Sequence, residues 1–540
     1  MTKNQTLAVL GMILVFIIFS TISMLNLSLT TDEGMHYTYG TNILNLNSDR
    51  LRYSSGVVDD SKMPITALNA LPAKLATIMP IKHLKIILAL FSTARFVTIM
   101  ISALVALLVF HWSHSLYGFV PGLISLGLYI FDPNIIAHSQ LVTTDLYCVS
   151  AVLFCSWCLW KFAHHRTVTN GLILAFGLAL GQLTKYTALA LYPLSMIALV
   201  LYDLPVLAEA FKRRAMPVLG NYLIKYTVYT VVTVLISILV INVGYLFNRT
   251  FTRLSNYEFG SNTFKTIQAI PVISKVPVPT PYPYLQGLDQ MLVTNSTGVR
   301  YGGVYLMGQL HSNGKGFPGY YFVASLLKVP IAIQVVLIGA ILVYLFDRKR
   351  RESFLANEVF LFVPVIFYTI YFNFMLNPQI GIRYYLVVFP LLYVFIGNLF
   401  RNWACFSSIQ RMASFGLAGY LIISLLSYYP HYLSYFNELV WNRTMAYKYL
   451  VNSNLDWGQN KNYLHQYMKT HPGTIFEPSK IVSGQIIVSA NDLVGIDDPL
   501  RFSWLRENFN PTGTVAYSYL IYDVSQQDLE RLCEVRKICQ

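Results

Sequence analysis

Windows of about 20 mostly apolar residues, each long enough to cross a bilayer as a helix, recur along this chain. They fall near 7–29, 88–110, 116–131, 145–163, 170–184, 187–203, 225–246, 328–346, 356–376, 384–400 and 413–430; the third and fifth are short. The spacing predicts an all-α polytopic membrane protein of about eleven transmembrane helices. Composition agrees: 55% of the 540 residues are hydrophobic and 12% are charged, about half the charged fraction of a soluble domain. The first window has too long an apolar run for a cleaved signal peptide and no A-x-A site after it.

Basic residues orient such a chain. Lys161 and Arg166, then Lys212, Arg213 and Arg214, then Arg348, Lys349, Arg350 and Arg351, and finally Arg401 and Arg411 occupy alternate connectors. This pattern predicts a multi-pass protein of the inner (plasma) membrane with a cytoplasmic N-terminus. The formal net charge of +14 is then topological, and nucleic acid is not an expected partner. Two domains follow as an expectation: 1–430, transmembrane with outer loops 30–87 and 247–327, and 431–540, an extracytoplasmic α/β domain. In the latter, Lys480–Val488 and Thr514–Val524 read as strands and Lys448–Lys469 as helical. In the first loop, Ile65–Leu75 reads as a helix lying on a membrane surface. Cys155 and Cys158 read as packing residues in an apolar helix; Cys533 and Cys539 could close a small loop or stay free.

Thr31-Asp32-Glu33-Gly34-Met35-His36-Tyr37 directly follows the first span. Ionised side chains beside hydrocarbon are costly, so a carboxylate pair at that boundary is a candidate catalytic group. Asp145, in Leu141-Val-Thr-Thr-Asp145, opens the fourth span, where a helix N-terminus would also favour it. The plainer alternative for Asp32 is a solvated loop acid. Cations that break the orientation rule stand against these acids: Lys62, Arg95, Lys185 and Arg383, with Arg249 and Arg253 beyond the seventh span. They are candidates for a lipid phosphate, with snorkelling to headgroups as the plainer reading of Lys62 and Arg95. Carboxylates and cations at one bilayer face suit transfer from a phosphate-linked lipid: a carboxylate takes the acceptor's proton while the cations hold the leaving phosphate.

The Asp32-Glu33 pair, Asp145 and Leu183-Thr-Lys185 resemble the C-type membrane glycosyltransferases, which include protein O-mannosyltransferases and lipid A aminoarabinose transferases. Tyr320–Pro330, Ile382-Arg383-Tyr384-Tyr385 with Phe389-Pro390, Ser453-Asn-Leu-Asp456-Trp457-Gly458-Gln459 and Val515–Tyr522 bring the chain nearest the bacterial phospholipid-carrier-dependent members. The resemblance implies a sugar, hexosyl or pentosyl, on a polyprenyl phosphate, and inverting transfer outside the cytoplasm. The acceptor, whether protein, lipid or glycan, is left open. It implies Asp32 as base with Glu33 and Asp145 beside it, and Lys185 and Arg383 on the phosphate. Lys62, in Asp60-Ser-Lys62-Met-Pro64, is similar to a Lys-Pro element of the aminoarabinose enzymes. His36, Tyr37, Asp456 and Trp457 are candidate sugar or acceptor contacts, Asp456 with a structural role as its alternative. The second loop is too short for the β-trefoil of eukaryotic O-mannosyltransferases, and Trp-Trp-Asp-Tyr-Gly of oligosaccharyltransferases is missing. No metal ligand set is assigned, although Asp32, Glu33, Asp145 and His36 could hold a divalent cation. The competing class is a lipid or sugar transporter or flippase, for which paired halves with broken helices would be the sign.

Overall fold

A computed structural model describes residues 1–298 and 302–536. With no water in hydrocarbon to satisfy the backbone, a spanning segment closes its hydrogen bonds internally, and helices do so. Among the described residues seven helices are long and apolar enough to cross: Lys3–Met24, Phe91–Tyr117, Asp145–His164, Tyr186–Lys212, Met216–Gly244, Ile382–Phe400 and Ser408–Leu426. Two bent pairs raise the number to nine, and Val168–Gly181 and Val359–Phe374 are shorter apolar helices. The eleven windows thus all form helix. Their outer surfaces remain apolar: Leu7, Leu10, Leu14, Ile18 and Ile22 recur every three or four residues along one exposed stripe, with Val9, Ile13 and Phe16 buried opposite. A stripe of that length, unfavourable in water, is stable against lipid.

Two spans are broken, which hydropathy did not reveal. Phe119–Ile130 meets Pro133–Ser139 at 63°, and Tyr320–Lys328 meets Ile331–Phe346 at 116°. Pro133 and Pro330 sit at the breaks, where a missing N–H cannot continue the preceding helix. Ile382–Phe400 is the most deeply buried window and opens as a 3₁₀ helix over Ile382–Val388.

The connectors gather at two ends. At one, Arg166 pairs with Asp203, Arg350 donates to Asn398 Oδ1 at 2.9 Å and Tyr117 to Glu358 at 3.1 Å. At the other, Arg50 joins the first and second long loops. It donates to the carbonyls of Lys62 (2.5 Å) and Pro283 (2.8 Å), and to the Tyr245 hydroxyl (2.6 Å). The first loop forms Glu33–Leu44 and, through the turn Pro64–Thr66, Ala67–Ala76. Close to the same end lies a four-stranded sheet in the order Ile475–Phe476, Gly484–Ser489, Tyr519–Val524, Gly513–Val515, the first pair parallel and the others antiparallel. The stretch expected as one strand over 514–524 is a hairpin, reversed where Ala516 and Tyr517 adopt positive φ. The helix expected near 448–469 is Lys461–Thr470; its Leu464 packs on Ile487, Val515 and Ile521. Cys148, Cys155 and Cys158 are buried free thiols. The Cys533–Cys539 pairing lies outside the described residues.

Candidate active site

Asp32 precedes Glu33–Leu44 as its N-cap but makes no side-chain cap hydrogen bond. Its carboxylate faces Arg383 Nη1 at 3.4 Å and Lys62 Nζ at 3.7 Å. Arg383 Nη1 also reaches Asp145 Oδ2 at 3.6 Å, and Asp145 in turn pairs with Lys185. Beyond Lys62 stands Asp59, 3.1 Å away. Charges therefore alternate along one line: Asp59, Lys62, Asp32, Arg383, Asp145, Lys185. In the low dielectric of a closed site such opposite charges attract one another far more strongly than in water. Burial pushes the Asp32 carboxyl up, but Lys62 and then Arg383 outweigh it and hold it below the usual carboxylate range. Burial likewise works against protonated Lys62, and Asp32 and Asp59 keep its pKa above the ordinary value. Asp32 is the most open member, with 26% of its side chain exposed against 5% for Arg383 and 1% for Asp145.

Arg383 is fixed by the segment whose role the sequence left open. Ser453 N–H donates to the Ile380 carbonyl at 3.3 Å, and Asn454 Oδ1 accepts from Ile382 N–H at 2.9 Å. Trp457 lays its ring 3.9 Å from the guanidinium, and its carbonyl accepts from Thr31 N–H at 3.0 Å. Gln459 accepts from Ser28 N–H at 2.8 Å through its carbonyl. The Ser453–Gln459 stretch thus straps the Asp32 loop to the Arg383 loop. Gly381, at φ 140°, is where the strap is tightest: a Cβ there would lie 2.2 Å from Ser453 Oγ. Gly381→Ala is expected to reduce stability, measured by thermal unfolding, because strain at that φ adds to the clash.

Two cavities meet at Arg383. A narrow one, about 90 Å³, is lined by Asp60, Asp145, Lys185, Arg383 and Tyr384 among apolar groups such as Met291 and Leu376. The other, about 430 Å³, is lined by Asp32, Arg383, Asp456, Trp457 and residues of the sheet. The second lies in the size range of small-molecule sites.

Other expected residues go elsewhere. Glu33 and Arg95 grip each other: Arg95 Nε donates to Oε1 at 2.8 Å and Nη2 to Oε2 at 2.5 Å. Glu33 also accepts from Thr30 N–H at 2.9 Å and Val142 N–H at 3.0 Å, and it is fully buried. Neither lines either cavity; a bidentate fork satisfies both charges internally. Arg249 pairs with Asp49 at 3.1 Å and stacks on Tyr282 at 4.1 Å, while Arg253 bridges to Pro277; neither faces the cavities. His36 is buried, and burial pulls its pKa down to about 3; it lines neither cavity. Tyr37 packs against Phe91 with ring centroids 5.2 Å apart. Among the described residues no three His, Cys, Asp or Glu are grouped as metal ligands. Sequence reading missed Asp59, Asp60 and Tyr384, whose ring Lys185 Nζ approaches to 4.4 Å. Adjacent carboxylates just ahead of Lys62 were the available signal.

Residues 83–241 match the family model described as dolichyl-phosphate-mannose-protein mannosyltransferase, less than half of the chain. No curated protein matches the sequence. Among solved structures, ArnT from Cupriavidus metallidurans bound to undecaprenyl phosphate is 12% identical, with 95% of this chain and 97% of that one covered and a TM-score of 0.33. Its apo state is 13% identical, covers 96% and 98%, and has a TM-score of 0.31. Neither backbone is near enough to lend this chain a ligand or a role.

Proposed function

We propose that this chain is a membrane glycosyltransferase that moves a sugar from a polyprenyl phosphate to an acceptor outside the cytoplasm, with inversion. The observation that carries the reading is Arg383, held between two carboxylates and forming a wall of both cavities. The donor's phosphate binds in the narrow cavity against Lys185 and Arg383; the acceptor enters the larger one beside Asp32. A phosphate drawing on Arg383 competes with Asp32 for the guanidinium. As that pairing weakens, the carboxylate becomes a better base when donor is bound. Asp32 then takes the acceptor hydroxyl's proton, the oxygen attacks the anomeric carbon, and the carbon–oxygen bond to phosphate breaks. Polyprenyl phosphate leaves with its charge held by Lys185 and Arg383. Residues 1–430 carry this chemistry, and 431–540 supply the strap and the far wall of the acceptor cavity.

The match of residues 83–241 to a mannosyltransferase family supports the reading, as does the order of the motifs. The test incubates purified protein with labelled undecaprenyl-phosphate sugars and a cell-envelope extract. Label moving to an acceptor, with undecaprenyl phosphate released, is expected; lipid moved between leaflets without sugar release overturns it in favour of a flippase. Lys185→Ala is expected to weaken undecaprenyl phosphate binding by roughly 10- to 100-fold, the scale of one charged contact, in a titration of the detergent-solubilised protein.

A further inference from the structure

The larger cavity is acidic beyond what the reaction needs. Asp32 and Arg383 face each other across its floor. That leaves Asp456, Glu477, Asp492 and Asp497 against Lys461 as the other charged lining groups. Among the described residues Asp456, Glu477 and Asp492 enter no ion pair. Asp456 is 6% exposed; its Oδ1 accepts from Gly458 N–H at 2.9 Å, while among the described residues Oδ2 has no hydrogen-bond partner. Glu477 and Asp492 stand together around Ser489, whose N–H donates to Glu477 at 3.2 Å and whose hydroxyl donates to Asp492 at 2.8 Å. Burial raises Asp456 to about 6 and, with Asp492 beside it, Glu477 to about 7. Both would ionise more fully beside a cation. The rest of the wall is aromatic: Phe476, Trp457 and Tyr519 line it, and Phe476 keeps 39% of its surface open.

We propose that this cavity selects an acceptor that carries a protonated amine beside its hydroxyls, an amino-sugar residue being the chemistry that fits both walls. The ring's apolar face lies on the aromatics and the ammonium sits between Asp456 and the Glu477–Asp492 pair. A phosphorylated acceptor is repelled by the same groups. The inference rests on the transfer reading, since it takes this cavity as the acceptor side.

The test measures binding of glucosamine, N-acetylglucosamine and glucosamine 6-phosphate to the full chain in nanodiscs, with undecaprenyl phosphate binding read in the same samples. Octyl glucosaminide forms a second arm that separates a lipid-carried amino sugar from a free one, by which of the two binds more tightly. Glucosamine or its octyl form is expected to bind at least about tenfold more tightly than N-acetylglucosamine, and the 6-phosphate more weakly still. Asp456→Asn, which keeps the acceptor for Gly458 N–H, and Asp492→Asn are each expected to erase that preference without altering undecaprenyl phosphate binding. Equal binding of amine and N-acetyl forms, preference for the phosphate, or no amine binding by protein that still takes undecaprenyl phosphate overturns the inference and leaves the transfer reading standing. Loss of preference together with loss of undecaprenyl phosphate binding in the Asn variants also overturns it, because the carboxylates then act on the fold. Wild-type protein that takes no undecaprenyl phosphate defeats both.

Discussion

Asp32→Asn is expected to lower transfer by roughly 10²- to 10⁴-fold, the range for removing a positioned general base, while undecaprenyl phosphate binding is kept and tightens, because the neutral side chain no longer competes for Arg383. The asparagine keeps the shape and leaves Arg383 with Asp145 at 3.6 Å. The pH profile distinguishes a base from a spacer. With Lys62 and Arg383 holding Asp32 below the usual carboxylate range, its ionised form is present above that lowered value and is lost only as pH falls through it. The acid limb of kcat/KM, which reports the free enzyme, is therefore expected below the ordinary carboxylate range. In the donor complex the phosphate draws on Arg383, so the limb in kcat should lie higher. Steady-state rates from pH 3 to 8 check both. Identical limbs in the two profiles, or an Asp32→Asn enzyme within a few-fold of wild type, would remove Asp32 from the base role.

Much of this was legible in the chain because hydrocarbon makes charge conspicuous. Asp32, Asp145, Lys185 and Arg383 stand out where bilayer-facing helices end, and the fold brings those four into one run of ion pairs where two cavities meet. The same logic failed for Glu33 and Arg95. A cation inside a span and an acid at its edge satisfy each other as well as they would satisfy a ligand, and nothing local says which. Neighbours in sequence can also part company: Asp32 and Glu33 point to different partners because successive residues at a helix start are turned by about 100°. Broken spans escaped because hydropathy sums composition and is blind to a Pro133 or Pro330 that redirects an apolar run. The Ser453–Gln459 strap was recognisable as a motif, but its work consists of backbone and side-chain contacts to residues more than 70 positions away, such as Ile380, Arg383 and Thr31, and no local pattern encodes those.

Glu33→Ala is expected to cost about 3–5 kcal/mol of stability, the scale for stranding one partner of a buried ion pair. Arg95→Ala should cost less. Stripped of Glu33, the Arg95 guanidinium keeps the carbonyls of Leu27 (3.1 Å) and Ser28 (2.7 Å) and the Phe91 ring, none of which is a counter-charge, and it cannot shed its charge. Stripped of Arg95, the Glu33 carboxylate still accepts from Thr30 and Val142 N–H. The double replacement Glu33→Met with Arg95→Met leaves no orphaned charge and should recover much of the loss. Thermal unfolding of the four detergent-solubilised proteins checks the order, and undecaprenyl phosphate binding by the folded fraction checks the meaning. If the pair is structural, whatever remains folded binds the lipid as wild type does. Because Glu33 begins the helix that Asp32 precedes, the pair anchors Asp32 at one end while the Trp457 strap anchors it at the other. An Arg95→Ala protein that unfolds normally yet fails to bind lipid would instead return Arg95 to the phosphate site.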